Sequence, residues 1–444
     1  MNHDLTIGKP SSTLFKFTFP MFVSVIFQQM YNIADSAIAG KFAGENALAA
    51  IGASYPITMI FMAVATGSNV GCTVVLSQFF GAKKLKNFKT AASTAIIYGT
   101  VISLTLTLIA VLCSPLMLGA INTPDSIFSD AETYLNIYLF GFVFLFLYNM
   151  INGIFNAMGD SRTPLYLLIA SSLMNIVLDY ILVAVFPYGV AGAAVATLIA
   201  QGAACISAFV LMIFRLRKIT VEEKPPRFSL HMLTTILFIA VPSILQSSFV
   251  SVGNLFIQSL INSCGESVIA GFSAATKLNT FAVTSMTTIG SGVSSFTAQN
   301  IGAGEIKRVK SGLRSGLILA LCFTLPFMIA YYFFGEPFLM LFMEDGGSAA
   351  LAAGMDFLRI VSPFFPFVCC KLIFDAVLRG SKAILLFMIT TFSDLIIRVA
   401  VSFIFFDSLQ QLSVYYSWPI GWIIGALLSF VFYFSGLWHK RRLS

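Results

Sequence analysis

Twelve apolar runs constrain this chain more than any other feature, starting near Leu14, Ser54, Ala91, Glu132, Pro164, Val190, His231, Ile269, Leu313, Leu351, Ile384 and Tyr415. Each is about 20 residues long, enough to cross the hydrocarbon core of a bilayer as an α-helix. In lipid every backbone polar group must be satisfied internally, which leaves helices or closed barrels. The expected fold is an all-α integral membrane protein of twelve transmembrane helices. Charged residues make up 10% of the chain and apolar ones 58%, whereas a soluble domain carries roughly 25% charge.

The loops between runs alternate in charge. Lys83, Lys84, Lys86 and Lys89 follow the second run, Arg162 the fourth, Arg215 to Arg227 the sixth, Lys307 to Arg314 the eighth, Arg379 and Lys382 the tenth, and Lys440 to Arg442 the last. With Lys9 and Lys16, 21 of the 26 Lys and Arg fall on one side, Lys41 on the other, and Lys277, Arg359, Lys371 and Arg398 within spans. The alternation requires the fourth span, although Asn149, Asn152 and Asn156 make its inner end polar. By the positive-inside rule both termini are cytoplasmic and the expected location is the cytoplasmic (inner) cell membrane. A net charge of +7 does not indicate nucleic acid here, because the basic residues are scattered over short loops rather than gathered in one patch. MNHDLTIGKPSS lacks the grammar of a cleaved signal. The seven cysteines form no CxxC, so neither a disulfide framework nor a metal site is expected.

The two halves resemble each other at a shift of about 220 residues. Pro20 and Asn32 match Pro242 and Asn254; AGENALA (Ala43–Ala49) resembles CGESVIA (Cys264–Ala270); Gly71, Gln78, Gly81, Ala82, Lys86 and Lys89 match Gly292, Gln299, Gly302, Ala303, Lys307 and Lys310; SSLMNIVLD (Ser171–Asp179) aligns with TTFSDLIIR (Thr390–Arg398). A shift of six spans keeps the orientation. The halves are therefore expected as parallel repeats about a pseudo-two-fold axis: an N-lobe over 1–214, a cytoplasmic linker over 215–230, and a C-lobe over 231–444. Two such lobes are expected to enclose a central solute cavity.

Charge inside a membrane marks function by default. In the second half Asp356 and Arg359, Lys371 and Asp375, and Asp394 and Arg398 stand three or four residues apart, on one helical face, and are expected to neutralise each other. Asp35 and Asp179 have no Lys or Arg within four residues. At ~1.5 Å per residue both lie roughly 10 Å inside the outer boundary. Asn175 shares the face of Asp179, and Thr197 enters from outside to a similar depth. Two carboxylates, an amide and a hydroxyl make an all-oxygen set suited to a proton or to a hard monovalent cation such as Na+. The plainer alternative is that these groups only tie neighbouring helices together.

These residues carry a resemblance to the multidrug and toxic compound extrusion (MATE) family. It rests on the twelve-span repeat, the Pro20 to Asp35 first span, the Gly-Ala-Lys loop after span two, Gly159-Asp-Ser-Arg-Thr-Pro164, and the spacing of Asn175, Asp179 and Thr197. The resemblance implies an N-lobe site at Asp35, Asn175, Asp179 and Thr197, where protonation or Na+ binding drives expulsion of a drug while the first helix bends at Pro20. Some members pair a span-seven glutamate with a span-ten aspartate. Asp375 stands in the second position, but span seven offers Gln246, Asn254 and Gln258. Lys277, without a local partner, is expected to face a carboxylate across the cavity.

Gln28, Gln29, Tyr31 and Asn32 on the first span, with Gln246, Asn254 and Gln258 on the seventh, are candidates for lining that cavity or for interhelical hydrogen bonds. GxxxG at Gly67–Gly71, Gly312–Gly316 and Gly421–Gly425 reads as close helix packing. No GxxxxGK[ST] is present to bind ATP, and neither HExxH nor GxSxG is present to support an enzyme. The expected activity is secondary efflux, by a monomer, of amphipathic, often cationic compounds in exchange for H+ or Na+, with no cofactor. The alternative is a flippase for lipid-linked or other cell-envelope intermediates.

Overall fold

The computed structural model describes residues 4–38, 41–42, 45–186, 188–343 and 347–440. Gly40 at the end of the first run, Ala43 and Gly44 of the repeated AGENALA, and the terminal Arg441 and Arg442 lie outside them. Every regular element among the described residues is helical: α1 (Pro10–Ile38), α2 (Glu45–Gly81), α3 (Leu85–Ala120), α4 (Asp125–Ala157), α5 (Arg162–Val185), α6 (Gly189–Arg217), α7 (Leu230–Asn262), α8 (Glu266–Gly302), α9 (Ile306–Met340), α10 (Ser348–Gly380), α11 (Ile384–Ile404) and α12 (Gln411–Phe434), with short turns of helix at Phe406–Leu409 and Leu437–Lys440. All but α8 are long and apolar enough to span a bilayer on their own composition. α8 is diluted by polar residues that it buries instead, among them Asn279, Ser285, Ser294, Thr297, Gln299 and Asn300.

Membrane burial turns ordinary amphipathicity around, and α3 shows how. Leu104, Leu108, Leu112 and Leu116 face outward, while Ser103, Thr107 and Ser114 are buried. Leucine gains nothing by leaving lipid, whereas small polar side chains allow close approach and hydrogen bonds between helices. Thr107 donates to the Leu139 carbonyl at 3.1 Å and Ser114 to Asn136 Oδ1 at 2.8 Å, fixing α3 on α4. α4 also packs on α2 and α6, and α5 on α6. In the second half α8 packs on α9 and α10, and α12 on α10 and α11.

The repeat extends to backbone detail. α2 ends at Gly81 and α8 at Gly302, and α3 starts at Leu85 and α9 at Ile306, a shift of 221 at both. Lys83 (φ 57°) and Gly304 (φ 79°) occupy the same left-handed helix stop at that shift. α10 is interrupted by a 3₁₀ turn at Ser362–Phe364, where Pro363 and Pro366 remove two amide donors.

The chain packs as two compact units, one containing Val23–Ile244 and the other Leu5–Phe22 with Leu245–Ser444. α1 and α7 each change unit, after Phe22 and after Ile244, two residues beyond Pro20 and Pro242 respectively. In the first unit the linker is tied to α3, with Ser229 N–H donating to Thr94 Oγ1 at 3.0 Å. Glu223 pairs with Lys86, whose hydrogen bond and charge hold that carboxyl below its ordinary range. In the second, the Arg308 guanidinium donates to the Leu5, Ile7 and Gly8 carbonyls.

Candidate functional site

The Gly159–Pro164 motif sets the position of α5. Asp160 accepts the Thr163 amide at 3.1 Å and its hydroxyl at 2.7 Å, capping the first turn, and meets Arg215 Nη2 of α6 at 3.2 Å. α5 thus starts fixed to α6 and carries Asn175 and Asp179 along the face turned inward, where they are 2% and 1% exposed. Directly after Asp179 the helix widens into a π turn over Tyr180–Val185, with Phe186 N–H reaching the Ile181 carbonyl at 2.9 Å. Such widened turns recur at functional sites.

Only one orientation of the Asn175 amide serves both neighbours. Its nitrogen donates to Asp179 Oδ2 at 2.9 Å and its oxygen accepts the Thr197 backbone N–H at 3.2 Å. The Thr197 hydroxyl is 3.4 Å from the same amide. The Asp35 and Asp179 carboxyls lie within hydrogen-bonding reach of each other, and Asp179 Oδ1 receives no hydrogen bond from any described group. Two carboxylates this close, one of them buried, repel unless a proton or a cation lies between them. Asp35, Asn175, Asp179 and Thr197 are therefore brought into one cluster.

Two tyrosines complete it. Tyr31, one turn before Asp35, lies beside the Thr197 side chain and lines the cavity with it. Tyr134 of α4 lies beside both carboxyls and stacks on Tyr138 at 6.4 Å. Neither stood out as part of an ion site in the sequence. Tyr134 near the end of a span reads as an interfacial aromatic, and only the packing of α4 beside α5 and α6 reveals it.

A cavity of about 290 Å³ lies inside this unit and runs along α5 from Pro164 to Asn175. Amides from Gln28, Asn149, Asn152, Asn175 and Gln201 and the rings of Tyr31 and Tyr148 give it a neutral, hydrogen-bonding wall. Tyr31, Asn175 and Thr197 belong both to this wall and to the carboxyl cluster. Asn149 and Asn152, two of the three asparagines that made the inner end of α4 unusual as a span, are here cavity lining.

The remaining sequence candidates fall elsewhere. Asn32 is exposed and donates to Gln29 at 3.3 Å. Gln246 is half-buried and Asn254 exposed, and Gln258 donates to Asn262 of its own helix at 2.8 Å. The cavity between α7 and α11 in the second unit is lined instead by Phe249, Val252, Phe256, Leu395, Ile396 and Val399 among others. Lys277 is exposed, forms no ion pair among the described residues, and lies 5.4 Å from the Phe342 ring centroid. Asp375 is buried and paired with Lys371 at 2.9 Å, and Asp394 meets Arg398 at 3.8 Å. Asp356 and Arg359, expected to pair, are both exposed, and no salt bridge joins them. Pro20 lies within an uninterrupted α1.

The MatE family model matches residues 20–181 and again 242–404, once in each half. YpnP of Bacillus subtilis, named a probable multidrug resistance protein, is 28% identical over 99% of this chain and 98% of its own. NorM of Thermotoga maritima, also named a probable multidrug resistance protein, is 26% identical over 97% and 93%. An FAD transporter of Shewanella oneidensis is 25% identical over 77% of this chain and 76% of its own. A solved MOP superfamily transporter from Pyrococcus furiosus, described with a binding pocket of reverse polarity, superposes with a TM-score of 0.92 at 22% identity over 99% of both chains. An outward-facing multidrug resistance MATE transporter gives 0.91 at 22% identity over 97% and 96%. These structures bear out the all-α, two-lobe fold read from the runs and the repeat. Matched in both repeats, this chain belongs to the MATE family of multi-pass membrane transporters, which are not enzymes.

Proposed function

We propose that the protein is a cation-coupled efflux antiporter of the cytoplasmic membrane, exporting amphipathic, often cationic compounds in exchange for H+ or Na+ by alternating access, with both termini cytoplasmic. Asp35, Asn175, Asp179 and Thr197 form the coupling site and Pro20 the hinge. The observation that carries this reading is the Asp35–Asp179 contact: two carboxyls, with one Asp179 oxygen receiving no donor, in contact with a cavity that shares Tyr31, Asn175 and Thr197. The cluster fits the ion, since its two carboxyls and the Thr197 hydroxyl are oxygen ligands, Asn175 holds Asp179 and Thr197 in place, and no Lys or Arg among the described residues pairs with either acid. A proton or Na+ entering between the carboxyls removes their repulsion and changes how α1 sits on α5. The same α1 face, through Gln28 and Tyr31, lines the solute cavity, so ion uptake and solute release compete for one wall. Relatives named for multidrug resistance support a drug as cargo. A flippase for an anionic lipid-linked intermediate is less well supported, because the buried Lys371 and Arg398 are engaged by Asp375 and Asp394.

The test is efflux of a fluorescent cationic dye from proteoliposomes, run with a proton gradient alone and with a Na+ gradient alone. The wild-type protein should respond to one of them, naming the ion, and Asp35→Asn should abolish the response while the protein elutes as a folded species. Wild-type rates in Asp35→Asn would overturn the assignment.

A further inference from the structure

A second cluster of intramembrane charge, in the second unit, is built on another plan. Lys371 and Asp375 stand one turn apart on α10, and Asp394 and Arg398 one turn apart on α11; they are 4%, 2%, 5% and 6% exposed. Lys371 Nζ donates to Asp375 Oδ2 at 2.9 Å and lies 3.7 Å from Asp394 Oδ2, so a single ammonium sits between carboxylates of two helices. Asp375 Oδ1 accepts Thr390 Oγ1 at 2.9 Å and Ser429 Oγ at 2.6 Å, which brings in α12. Asp394 Oδ1 is buried without a hydrogen bond, and the nearest cation, Arg398 Nη2, is 3.8 Å away while its guanidinium lies over the Trp418 ring at 4.5 Å.

The ammonium is therefore buried between carboxylate oxygens of two helices, one of which also accepts two hydroxyls, the hard-oxygen surroundings that a dehydrated monovalent cation selects. α12 makes room for the side chain that delivers it. A Cβ on Gly425 would lie 2.6 Å from Lys371 Cε, and one on Gly421 2.5 Å from Asp394 Oδ1. An attached ammonium is present at a high effective concentration that no free ion in the cytoplasm matches.

We propose that Lys371 is a tethered cation: its ammonium fills a monovalent-cation site formed by Asp375, Asp394, Thr390 and Ser429, so this unit holds its ion covalently and exchanges none. The converse is that deleting the ammonium creates a site for a free cation. Without Lys371 two buried carboxylates keep only Arg398, 3.8 Å from Asp394, and Arg379, one turn beyond Asp375, as nearby cations, neither hydrogen-bonded to them, and breaking a buried pair by removing one partner is costly unless something replaces it. The ammonium's 2.9 Å contact with Asp375 matches an ion of its own size, so K+ should fit at least as well as Na+.

The experiment uses the full-length purified protein carrying Asp35→Asn, which silences the acid pair of the first unit whatever its role. Thermal unfolding is followed while choline chloride is exchanged for KCl or NaCl at constant ionic strength. The Asp35→Asn parent should show no cation-specific shift that Asp375→Asn removes. Adding Lys371→Met should produce a saturable rise in Tm with KCl or NaCl, lost again on adding Asp375→Asn. An unchanged Tm for Lys371→Met in KCl and NaCl relative to choline overturns the proposal. So does a cation-specific, Asp375-dependent rise in the parent, which requires no Lys371 variant. If Lys371→Met does not fold in choline, folding in KCl or NaCl alone supports the proposal, and failure in all three overturns it.

Discussion

Asn175 joins the two halves of the carboxyl cluster. Its amide both donates to Asp179 and accepts from Thr197 N–H, and it is 2% exposed. Leucine has the same branched skeleton of side-chain heavy atoms, in a bulkier form and with neither polar atom, so Asn175→Leu removes the hydrogen bonds without opening a cavity. Leaving a buried acceptor unsatisfied costs about 1–3 kcal/mol, and thermal unfolding in detergent should fall accordingly. A variant as stable as wild type would mean that the amide only fills space. Asp35, Asn175, Asp179 and Thr197 were legible in the sequence because a polar group inside an apolar run is conspicuous, and counting residues from the span ends gives its depth. Tyr134 was not legible, since an aromatic at a span end suits the membrane interface equally well. Asp356 and Arg359 mislead for the opposite reason: spacing puts them on one face, but that face is exposed, where solvated charges gain little by pairing.

Among the helices, GxxxG proves to be two devices under one pattern. On α2, a Cβ at Gly71 would lie 2.7 Å from the Ile236 carbonyl and one at Gly67 2.6 Å from Ile244 N, so those glycines admit backbone. On α12, Gly425 admits the side chain of Lys371 instead, and Gly421 admits both the carboxylate and the backbone carbonyl of Asp394. The difference predicts unequal costs. Gly425→Ala meets a flexible lysine stem and should destabilise towards the low end of the roughly 1–3 kcal/mol typical of overpacking, and Gly71→Ala, which meets backbone, towards the high end. Comparing the two variants' Tm values checks the order, and equal losses would contradict it. The sequence shows a motif spacing but not what faces it. Pro363 and Pro366 account for the break in α10, whereas the π turn after Asp179 has no such residue behind it.

Over the whole chain, the repeat places unlike chemistry at matching positions. Shifts of 219 to 221 carry Asn175 to Asp394, Asp179 to Arg398 and Thr197 to Trp418, and these residues too come together, with Arg398 over Trp418 at 4.5 Å and 3.8 Å from Asp394. One unit has an acid with no cation beside it where the other has a base with its acid alongside, so the repeat conserves a meeting point of helices rather than a ligand. Parallel repeats also require equivalent turns to face the same side of the membrane. Lys84, just before α3, and Lys307, in the first turn of α9, are exposed, as are Asp125 and Glu266 at the starts of α4 and α8. With the native cysteines changed to serine, Lys84→Cys and Lys307→Cys should resist an impermeant maleimide added to intact cells and react after lysis. Asp125→Cys and Glu266→Cys should react in both. The reverse pattern would invert the topology, and different sides for Lys84 and Lys307 would break the parallel relation, since six intervening spans return the chain to the side from which it started.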